Sequence, residues 1–500
     1  GGDIHIHDKD FYMLTETCCQ IDLIKLFKDG FCTGHGYLRA PQSIMSYASL
    51  ACIAIQANQN EMHGGQSVPN FDYSMAPGVA KTYVKEYYDA LAQSLAVRLG
   101  IGYADACAIA KNIKKELPAP TLSNADAFEA ELCKWFTQAD DKFGLDGKVL
   151  VAAHKNAAET ALASTDKATF QAMEALVHNL NTMNSRAGAQ VPFSSVNYGT
   201  DTSPEGRMVM KNLLLATDNG LGNGETPIFP VQIFKVKEGI NYNPEDPNYD
   251  LFRLAIKTSA KRLFPNFSFI DAPFNLEYYK PGDYNTEVAY MGCRTRVMAN
   301  TYDPTKAVTC GRGNLSFTSI NLPRLGIRAN RDIDTFYKEL DEEMDLVTRQ
   351  LLHRFKIQCT KKGRKYPFLM GQGIWIDSDK IGPDDSVAEI LKHGTLSIGF
   401  IGLAETLKAL TGKHHGESEE SRKLGLEIIT HMRKFCDDKS KETHLNFTLL
   451  ATPAEGLSGR FVRIDKKKYG IIPGVTDRDY YTNSFHVPVY YPISAFEKLD

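Results

Sequence analysis

The sequence predicts an α/β protein that forms one large domain with a helical insertion. Three observations support this fold class. Strand-like and helix-like segments alternate between about residues 190 and 450. Residues 78–180 instead carry apolar side chains at three- and four-residue spacing, the pattern of amphipathic helices. No internal repeat, low-complexity tract or linker interrupts the sequence. These features favour a single α/β domain into which helices are inserted.

The composition is typical of a globular protein and excludes several other classes. Of 500 residues, 43% are hydrophobic and 23% are charged, which excludes a disordered chain. The formal net charge of -3 gives no general attraction to nucleic acid or to an anionic membrane, so neither is expected as a partner. No apolar run reaches the eighteen or so residues of a membrane span. The ten cysteines include no C-x-x-C pair, which indicates reduced thiols and a cytoplasmic protein.

Local periodicity predicts the individual elements. The first seventy residues predict a short strand at 4–8, then a helix, then a buried alanine-rich helix. Further helices are predicted at 83–99, 104–117, 125–143, 166–183, 333–355, 387–410 and 419–441. Short apolar runs bounded by turns predict strands at 191–196, 227–234, 266–270, 314–322 and 446–450. The stripe of Phe170, Met173, Val177 and Leu180 on one helix is more typical of a core than of a subunit interface.

A strand-to-helix turn at 446–460 could bind phosphate. Thr452 is predicted as the N-cap of the helix and Pro453 as its first residue. The free backbone N–H groups and the positive end of the helix dipole at such a start suit an anion. An ordinary capped helix start would have the same sequence.

The first seventy residues contain three weaker candidates. His5 and His7 would share one face of a strand, as metal ligands often do, but no third or fourth ligand is identifiable, so a structural role is favoured. The paired Gly64 and Gly65 within residues 59–67 would let the backbone approach a ligand closely, or simply form a tight turn. Cys18 and Cys19 are adjacent, and a strand would direct them to opposite faces.

Two loop motifs complete the candidates. Cys293 follows a glycine in M-G-C-R, and a cysteine on such a loop could present a reactive sulfur or have no function at all. The segment G-R-G-N, residues 311–314, opens a strand about twenty residues later.

Ten ordered motifs run from about His5 to the end of the chain: H-I-H-D-K-D-F, C-C-Q-I-D-L, H-G-G-Q-S, N-S-R-A-G-A-Q-V-P-F, P-N-F-S-F, M-G-C-R, G-R-G-N-L-S-F-T-S-I-N-L-P-R, G-F-I-G-L-A-E, T-P-A-E-G-L-S-G-R-F and T-N-S-F-H-V-P-V. With them the sequence resembles the large catalytic subunit of the anaerobic, class III ribonucleoside-triphosphate reductases, which are glycyl radical enzymes. The resemblance implies a ten-stranded α/β barrel of two antiparallel five-stranded halves. A finger loop with a cysteine at its tip would thread this barrel.

The resemblance assigns roles to the reactive residues. Cys293 matches the finger-loop cysteine that becomes a thiyl radical and abstracts the ribose 3'-hydrogen. Cys18 or Cys19 matches the second cysteine, which supplies hydrogen to the 2'-position, and the sequence leaves both open. Asn314 matches the asparagine of the branch that oxidises formate, so formate is the expected reductant.

The resemblance also implies binding sites. The substrate triphosphate is expected at the turn formed by Thr452, Ala454, Glu455, Gly456 and Leu457. The H-G-G-Q motif, which is His63, Gly64, Gly65 and Gln66, is expected to contact substrate. An ATP or deoxynucleotide effector is expected near the loop containing Ser185, Arg186 and Gln190. The helical region at about 80–185 would then belong to the effector and dimer region, with the 170–180 stripe at the dimer interface. A homodimer or a dimer of dimers is expected.

Several features of the family have no match in these 500 residues. They are the N-terminal ATP-cone, the C-terminal R-V-x-G-Y-type segment that carries the glycyl radical, and a four-cysteine zinc site. The sequence is therefore expected to be the catalytic barrel of a longer protein. The resemblance further implies an activating partner that uses S-adenosylmethionine and an iron-sulfur cluster. Two alternatives are an acyltransferase resembling pyruvate formate-lyase, whose working thiols are adjacent, and a catalytically silent nucleotide-binding regulatory paralogue.

Overall fold

The computed structural model describes residues 1–143, 146–292 and 295–499. The helices are α1 Leu23–Asp29, α2 Ile44–Gln59, α3 Phe71–Leu99, α4 Tyr103–Glu116, α5 Ala125–Phe143, α6 Gly147–Thr182, α7 Pro204–Asn219, α8 Tyr249–Arg262, α9 Pro273–Leu276, α10 Leu322–Ala329, α11 Ile333–Cys359, α12 Ala388–Leu391, α13 Leu403–Thr411, α14 Glu419–Thr443, α15 Gly456–Tyr469 and α16 Ala495–Leu499. The strands are β1 Ile4–Ile6, β2 Cys19–Gln20, β3 Gly30–Cys32, β4 Tyr37–Arg39, β5 Gln66–Val68, β6 Ser194–Tyr198, β7 Val231–Val236, β8 Asn266–Phe269, β9 Tyr290–Met291, β10 Thr295–Arg296, β11 Asn314–Asn321, β12 Thr395–Ile401 and β13 Asn446–Ala451. No helix in these described ranges is long and apolar enough to cross a membrane.

The chain divides into two compact units. Unit 1 contains Gly1–Gln20, Glu61–Gly65 and Tyr290–Asp500, and unit 2 contains Ile21–Asn60 and Gln66–Ala289. In unit 2 the strands β5, β6, β7 and β8 pair in parallel, in that order. The connections between these strands run through helices, as parallel pairing requires.

The helical region of unit 2 is built around the long helices α3 and α6. Together with α4 and α5 they enclose an apolar cluster that includes Tyr87, Leu91, Phe128 and Leu150. The predicted run of helices within residues 78–180 is confirmed, whereas the role of this region in effector binding and dimer formation stays a prediction.

The stripe on α6 is part of the core of unit 2. Met173, Val177 and Leu180 are each at most 1% exposed within the single chain. The apolar surface of these three side chains is already covered within the chain, so they belong to the core, and a dimer interface along this helix stays a prediction. The helical spacing did predict the stripe, but a core and an interface require the same spacing.

In unit 1 the sheet order is β1-β11-β12-β13. Strand β1 runs antiparallel to β11, whereas β11, β12 and β13 are parallel. Helix α11 packs against β11 and β12 and buries its apolar stripe, which consists of Phe336, Leu340, Met344, Val347 and Leu351. That stripe agrees with the predicted helix at 333–355.

The predicted helix at 387–410 is wrong. The structure instead has the short helix α12, the central strand β12 and helix α13. All seven residues of β12, T-L-S-I-G-F-I, are buried. A parallel strand covered on both faces has no simple alternation of apolar and polar residues, so its sequence can be mistaken for a buried helix.

Candidate active site

One face of the unit 1 sheet is rich in polar side chains although it is largely buried. The strand register places Asn314 beside Thr395, and Ser397 beside Thr448. On the opposite face of β12, Leu396, Ile398 and Phe400 are apolar and at most 1% exposed. The polar face, as we call it, comprises His5, His7, Asn314, Ser319, Thr395, Ser397, Thr448 and Thr452, which follows directly after β13. A sheet face of this kind can line a reaction chamber, whereas an apolar face only fills a core.

Hydrogen bonds link the side chains of the polar face across the strands. Asn314 Nδ2 donates to Thr395 Oγ1 at 3.0 Å and to Ser397 Oγ at 2.7 Å. Ser397 Oγ in turn lies 2.8 Å from Thr448 Oγ1. Within the described residues, Asn314 Oδ1 is buried and accepts no hydrogen bond. A buried acceptor without a donor costs about 1–3 kcal/mol, so this oxygen favours a ligand that donates a hydrogen bond.

A second chain of hydrogen bonds crosses the same face. Ser319 Oγ lies 2.7 Å from Thr452 Oγ1 and 2.8 Å from His7 Nε2. Burial, and next the nearby His5, lower the pKa of His7 to about 3. His7 is therefore neutral at physiological pH and can exchange hydrogen bonds with a hydroxyl. The rings of His5 and His7 are 4.6 Å apart, which confirms that both lie on one face of the strand.

The backbone of Cys18 pairs with that of Asn314. The Cys18 N–H donates to Asn314 O at 3.0 Å, and the Asn314 N–H donates to Cys18 O at 3.1 Å. Residues that exchange both hydrogen bonds in an antiparallel pair carry their side chains on the same face. The thiol of Cys18 is therefore on the side of the Asn314 amide. Cys19 is fully buried and points to the other side.

The H-G-G part of the H-G-G-Q motif shapes the surroundings of Cys18. The Gly65 N–H donates to Cys18 Sγ at 3.1 Å. A Cβ on Gly64 would lie 2.4 Å from Thr17 O and 2.9 Å from Cys18 Sγ, so no larger residue fits there. His63 is 4% exposed; its Nδ1 lies 2.8 Å from Thr15 Oγ1, within unit 1.

Gln66 lies in unit 2, where its side-chain oxygen accepts a hydrogen bond from Asn58. Its predicted contact with substrate, like that of His63, stays a prediction.

Gln20, which sequence reasoning missed, lies two residues after Cys18 on the same extended segment. Its side chain is fully buried, and within the described residues neither atom of its amide group makes a hydrogen bond. Side chains two residues apart on a strand share a face. The amide of Gln20 is thus a further polar group on the side of the Cys18 thiol.

The predicted start of the helix after β13 is wrong by three residues. Helix α15 begins at Gly456, and its N-cap is Glu455, which makes no side-chain cap. Thr452 instead continues the polar face, and the Ala454 N–H is bound by Asn483 Oδ1 at 2.7 Å. The space beside Gly456 is open, because a Cβ there would meet no atom within 4 Å.

This helix start can still bind an anion through its first-turn backbone N–H groups. Arg460 follows one turn later, and its Nη1 lies 2.8 Å from His5 Nδ1. A guanidinium group beside a helix N-terminus adds positive charge, which suits a phosphate group. Leu457 packs beneath this turn with Ile401 and Phe461.

The predicted effector loop is a closed turn in unit 2. Arg186 and Gln190 exchange backbone hydrogen bonds of 3.0 and 3.2 Å. Their side chains also meet, since Arg186 Nη1 donates to Gln190 Oε1 at 3.0 Å. Ser185 Oγ is buried with no hydrogen bond in the described part of the chain. The structure brings Arg186 and Gln190 together, and the effector role of all three residues stays a prediction.

Cys293 and Arg294 lie outside the described residues. On either side of them, β9 and β10 pair antiparallel, with Met291 opposite Thr295. The prediction that Cys293 is the radical cysteine therefore stays a prediction. Among the described residues, no group of three or more His, Cys, Asp or Glu side chains could hold a metal ion.

The sequence analysis also did not identify most hydroxyl groups of the polar face. Ser319, Thr395, Ser397 and Thr448 lie in strands that otherwise look apolar. The available signal was the alternation of Thr and Ser with Leu and Ile in T-L-S-I, which is hidden when the segment is taken for a helix.

Comparisons with known proteins point to one family. The whole chain, residues 1–500, matches the family model of the anaerobic ribonucleoside-triphosphate reductases. It is 30% identical to the anaerobic ribonucleoside-triphosphate reductase of Escherichia coli (strain K12), covering 100% of this chain and 61% of that protein. The enzyme of that name from Enterobacteria phage T4 is also 30% identical, with 100% of this chain and 71% of the relative covered. The chain thus spans about three fifths of the bacterial relative's length.

A solved structure shows the same fold. The anaerobic ribonucleotide reductase from Thermotoga maritima in complex with dATP and CTP superposes with a TM-score of 0.62 at 14% identity, covering 100% of this chain and 69% of that one. The α/β fold expected from the motifs is confirmed by this match. Because the family model covers every residue, the chain belongs to the anaerobic ribonucleoside-triphosphate reductase family.

Proposed function

We propose that the complete protein reduces ribonucleoside triphosphates to 2'-deoxyribonucleoside triphosphates by thiyl radical chemistry, with formate as the reductant. The observation that carries the proposal is the Cys18 thiol on the same side as the Asn314 amide, beside a buried polar face. The net reaction is balanced: formate and a proton supply two electrons and two hydrogens. One hydrogen replaces the 2'-hydroxyl, that hydroxyl leaves as water, and carbon dioxide is released.

Cys293 is proposed as the radical residue. A glycyl radical, proposed to lie in a segment of the complete protein outside this chain, supplies the unpaired electron. The sulfur of Cys293 then takes the 3'-hydrogen of the ribose: the C–H bond breaks, an S–H bond forms, and the unpaired electron moves to carbon. Sulfur suits this step because its bond to hydrogen is weak enough for the transfer to be reversible.

Cys18 is proposed as the second thiol, which delivers hydrogen to the 2'-position. The pairing with Asn314 supports Cys18 over Cys19, because the two adjacent side chains point to opposite faces. The Gly65 N–H donates a hydrogen bond to the Cys18 sulfur, which helps to hold that sulfur in one position for the transfer.

The two amide groups near Cys18 are proposed to orient the reacting groups. Asn314 Oδ1 lacks a donor among the described residues, and a ribose hydroxyl could supply one. Gln20 can both donate and accept, which also suits a hydroxyl group or the carboxylate of formate.

The substrate triphosphate is proposed to bind at the start of α15. The open space at Gly456 and the charge of Arg460 support this position. The effector, ATP or a deoxynucleotide, is proposed at the loop of Ser185, Arg186 and Gln190. The relative from Thermotoga maritima was solved with dATP in its specificity site, which supports an effector of this class.

The remaining partners are proposed from the family. They are an activating enzyme that uses S-adenosylmethionine and an iron-sulfur cluster, and a second copy of the protein. Zinc is proposed for the complete protein from the family alone.

The test compares Cys18→Ala with Cys19→Ala in the activated complete protein. Deoxynucleotide formation and release of labelled carbon dioxide from formate are measured together. Cys18→Ala should abolish both while leaving nucleotide binding intact, and Cys19→Ala should keep most activity. Equal loss from both changes would contradict the strand geometry.

A second arm distinguishes the reductant. Labelled carbon dioxide should appear in proportion to deoxynucleotide. Turnover sustained by a thioredoxin-like protein without carbon dioxide would overturn the formate assignment. Nucleotide binding with no turnover under any reductant would favour the silent regulatory paralogue.

A further inference from the structure

A buried arginine holds the chain that follows the hairpin β9–β10. Arg312, in the G-R-G-N segment, is fully buried within unit 1. Its Nη1 donates to Met298 O at 2.7 Å, and its Nη2 donates to Ala299 O at 2.9 Å. Two further hydrogen bonds reach Val308 O at 3.1 Å and His393 O at 3.0 Å. Four main-chain carbonyls thus surround one guanidinium group.

The segment held by Arg312 has no ladder partner of its own. Residues 297–300 follow β10 directly and belong to no strand or helix. Val297 and Met298 are at most 2% exposed, so their carbonyls cannot rely on solvent. Thr309 Oγ1 adds a hydrogen bond of 3.2 Å to Val297 O. We call residues 297–299 the return stem, since they lead back from the segment that contains Cys293.

The G-R-G-N segment, residues 311–314, also holds the segment that carries Cys18. The Gln20 N–H donates to Arg312 O at 2.9 Å, and the Gly311 N–H donates to Gln20 O at 2.8 Å. At Gly313 the two segments approach so closely that a Cβ would lie 1.8 Å from Cys18 O. The main chain of G-R-G-N therefore fixes Cys18, while the side chain of Arg312 fixes the return stem.

We propose that Arg312 is a positioning residue that holds the return stem, which follows the proposed radical residue Cys293 in the sequence, against the segment that carries Cys18. The proposal rests on the proposed function, in which the two sulfurs act on the 3'- and 2'-positions of one ribose. Hydrogen transfer needs its reacting atoms in near contact, and a displacement of about 1 Å can lower a rate by about 10²-fold. A rigid link between the return stem and the segment of Cys18 would limit such a displacement.

Lysine cannot replace this arginine. A guanidinium group has five donors in a planar fork, and here that fork reaches carbonyls on three separate segments. An ammonium group has three donors at a single point and would leave some of these buried carbonyls unpaired. Arg312→Lys keeps the charge and removes the geometry, so it isolates the positioning role.

The test measures Arg312→Lys in the complete activated protein by two methods. Hydrogen–deuterium exchange of residues 290–301 reports the return stem without any need for turnover, and exchange there should become faster. Steady-state kinetics should show kcat reduced about 10²-fold with the KM for nucleotide unchanged. With 3'-deuterated nucleotide the isotope effect on kcat should increase, because hydrogen transfer becomes slower than the other steps.

Arg262→Lys is the matched control. Arg262 is also buried and also binds main-chain carbonyls, those of Asp218, Asn219 and Gly224, but it lies at the end of α8 in unit 2. The Arg262→Lys protein should lose about as much stability as the Arg312→Lys protein, but its kcat and isotope effect should equal those of the parent. If Arg312→Lys folds poorly, Thr309→Val gives a second measurement, with a smaller loss of kcat and faster exchange in the same stem.

The outcomes separate this proposal from the proposed function. Unchanged exchange in the return stem of Arg312→Lys would overturn the proposal whatever the reaction is. Faster exchange with an unchanged kcat would equally overturn it. A parent protein that protects the stem through Arg312 but forms no deoxynucleotide would contradict the proposed function and, with it, the catalytic purpose of the link.

Discussion

Replacing Gly399 by alanine should destabilise unit 1 and disturb the polar face. Gly399 lies near the middle of β12, where it pairs with Ser319 of β11 on one side and with Leu450 of β13 on the other. A Cβ there would lie 2.2 Å from Thr452 Oγ1 and 2.5 Å from Ser319 Oγ, far inside contact distance. Overpacking of a well-packed site costs about 1–3 kcal/mol. Separating the two hydroxyls also breaks their hydrogen bond of 2.7 Å, worth about 0.5–1.5 kcal/mol, so the sum is about 1.5–4.5 kcal/mol.

Urea and thermal unfolding, followed by circular dichroism, would measure this loss. Gly222→Ala is a suitable control, because a Cβ there meets no atom within 4 Å and no left-handed φ is required. The control should be neutral or slightly stabilising. Thr452→Ala combined with Gly399→Ala should cost less than the sum of the two changes, since it removes the closest overlapping atom. Additive costs, or a Gly399→Ala protein as stable as the parent, would refute the reasoning.

Three further predictions concern charge and linkage. Gly456→Asp should leave α15 intact, because a carboxylate suits a helix N-terminus. It should nevertheless weaken triphosphate binding, measured by calorimetry, about tenfold relative to Gly456→Asn. Equal affinities of the two variants would show that the phosphates bind elsewhere. Arg186→Ala should abolish an effector response of about 5- to 150-fold in substrate affinity while basal binding persists, and an unchanged response would remove Arg186 from the linkage. The His7 pKa is lowered from 6.5 to about 3, so between these values the unfolded chain holds a proton that the folded chain lacks, and stability falls as the pH is lowered. Chemical unfolding should show a slope of up to about 1.4 kcal/mol per pH unit from this group, and His7→Gln should flatten it.

The sequence predicted most helices because their apolar stripes repeat along the chain. Helix α5 has the predicted bounds, and α11 extends the predicted helix by four residues. The central strand β12 was missed because burial on both faces removes the alternation that marks a strand. Thr452 was taken for a helix cap because a Thr-Pro pair is common at helix starts, while the hydroxyl is in fact used by Ser319 across the sheet.

The candidate site was predictable only as separate motifs. Cys18, Gly65 and Asn314 were each identified from the sequence, yet the choice of Cys18 over Cys19 needed the strand pairing. Gln20 could not be identified from the sequence, because nothing in C-C-Q-I-D-L shows which alternate residues share a face with Asn314. Pairing between distant segments is a property of the fold, and local periodicity does not contain it.

The two faces of the unit 1 sheet divide stability from chemistry. The apolar face, with Leu396, Ile398 and Phe400 beneath α11, supplies burial that stabilises the fold. The polar face reduces this stabilisation, because each buried amide or hydroxyl group without a hydrogen-bond partner costs free energy. Its hydroxyls meet that need largely among themselves, through links such as Ser397 to Thr448. Asn314 Oδ1 and the Gln20 amide stand out as the acceptors and donors left over beside Cys18 in the described part of the chain, and these are the groups that a bound substrate would satisfy.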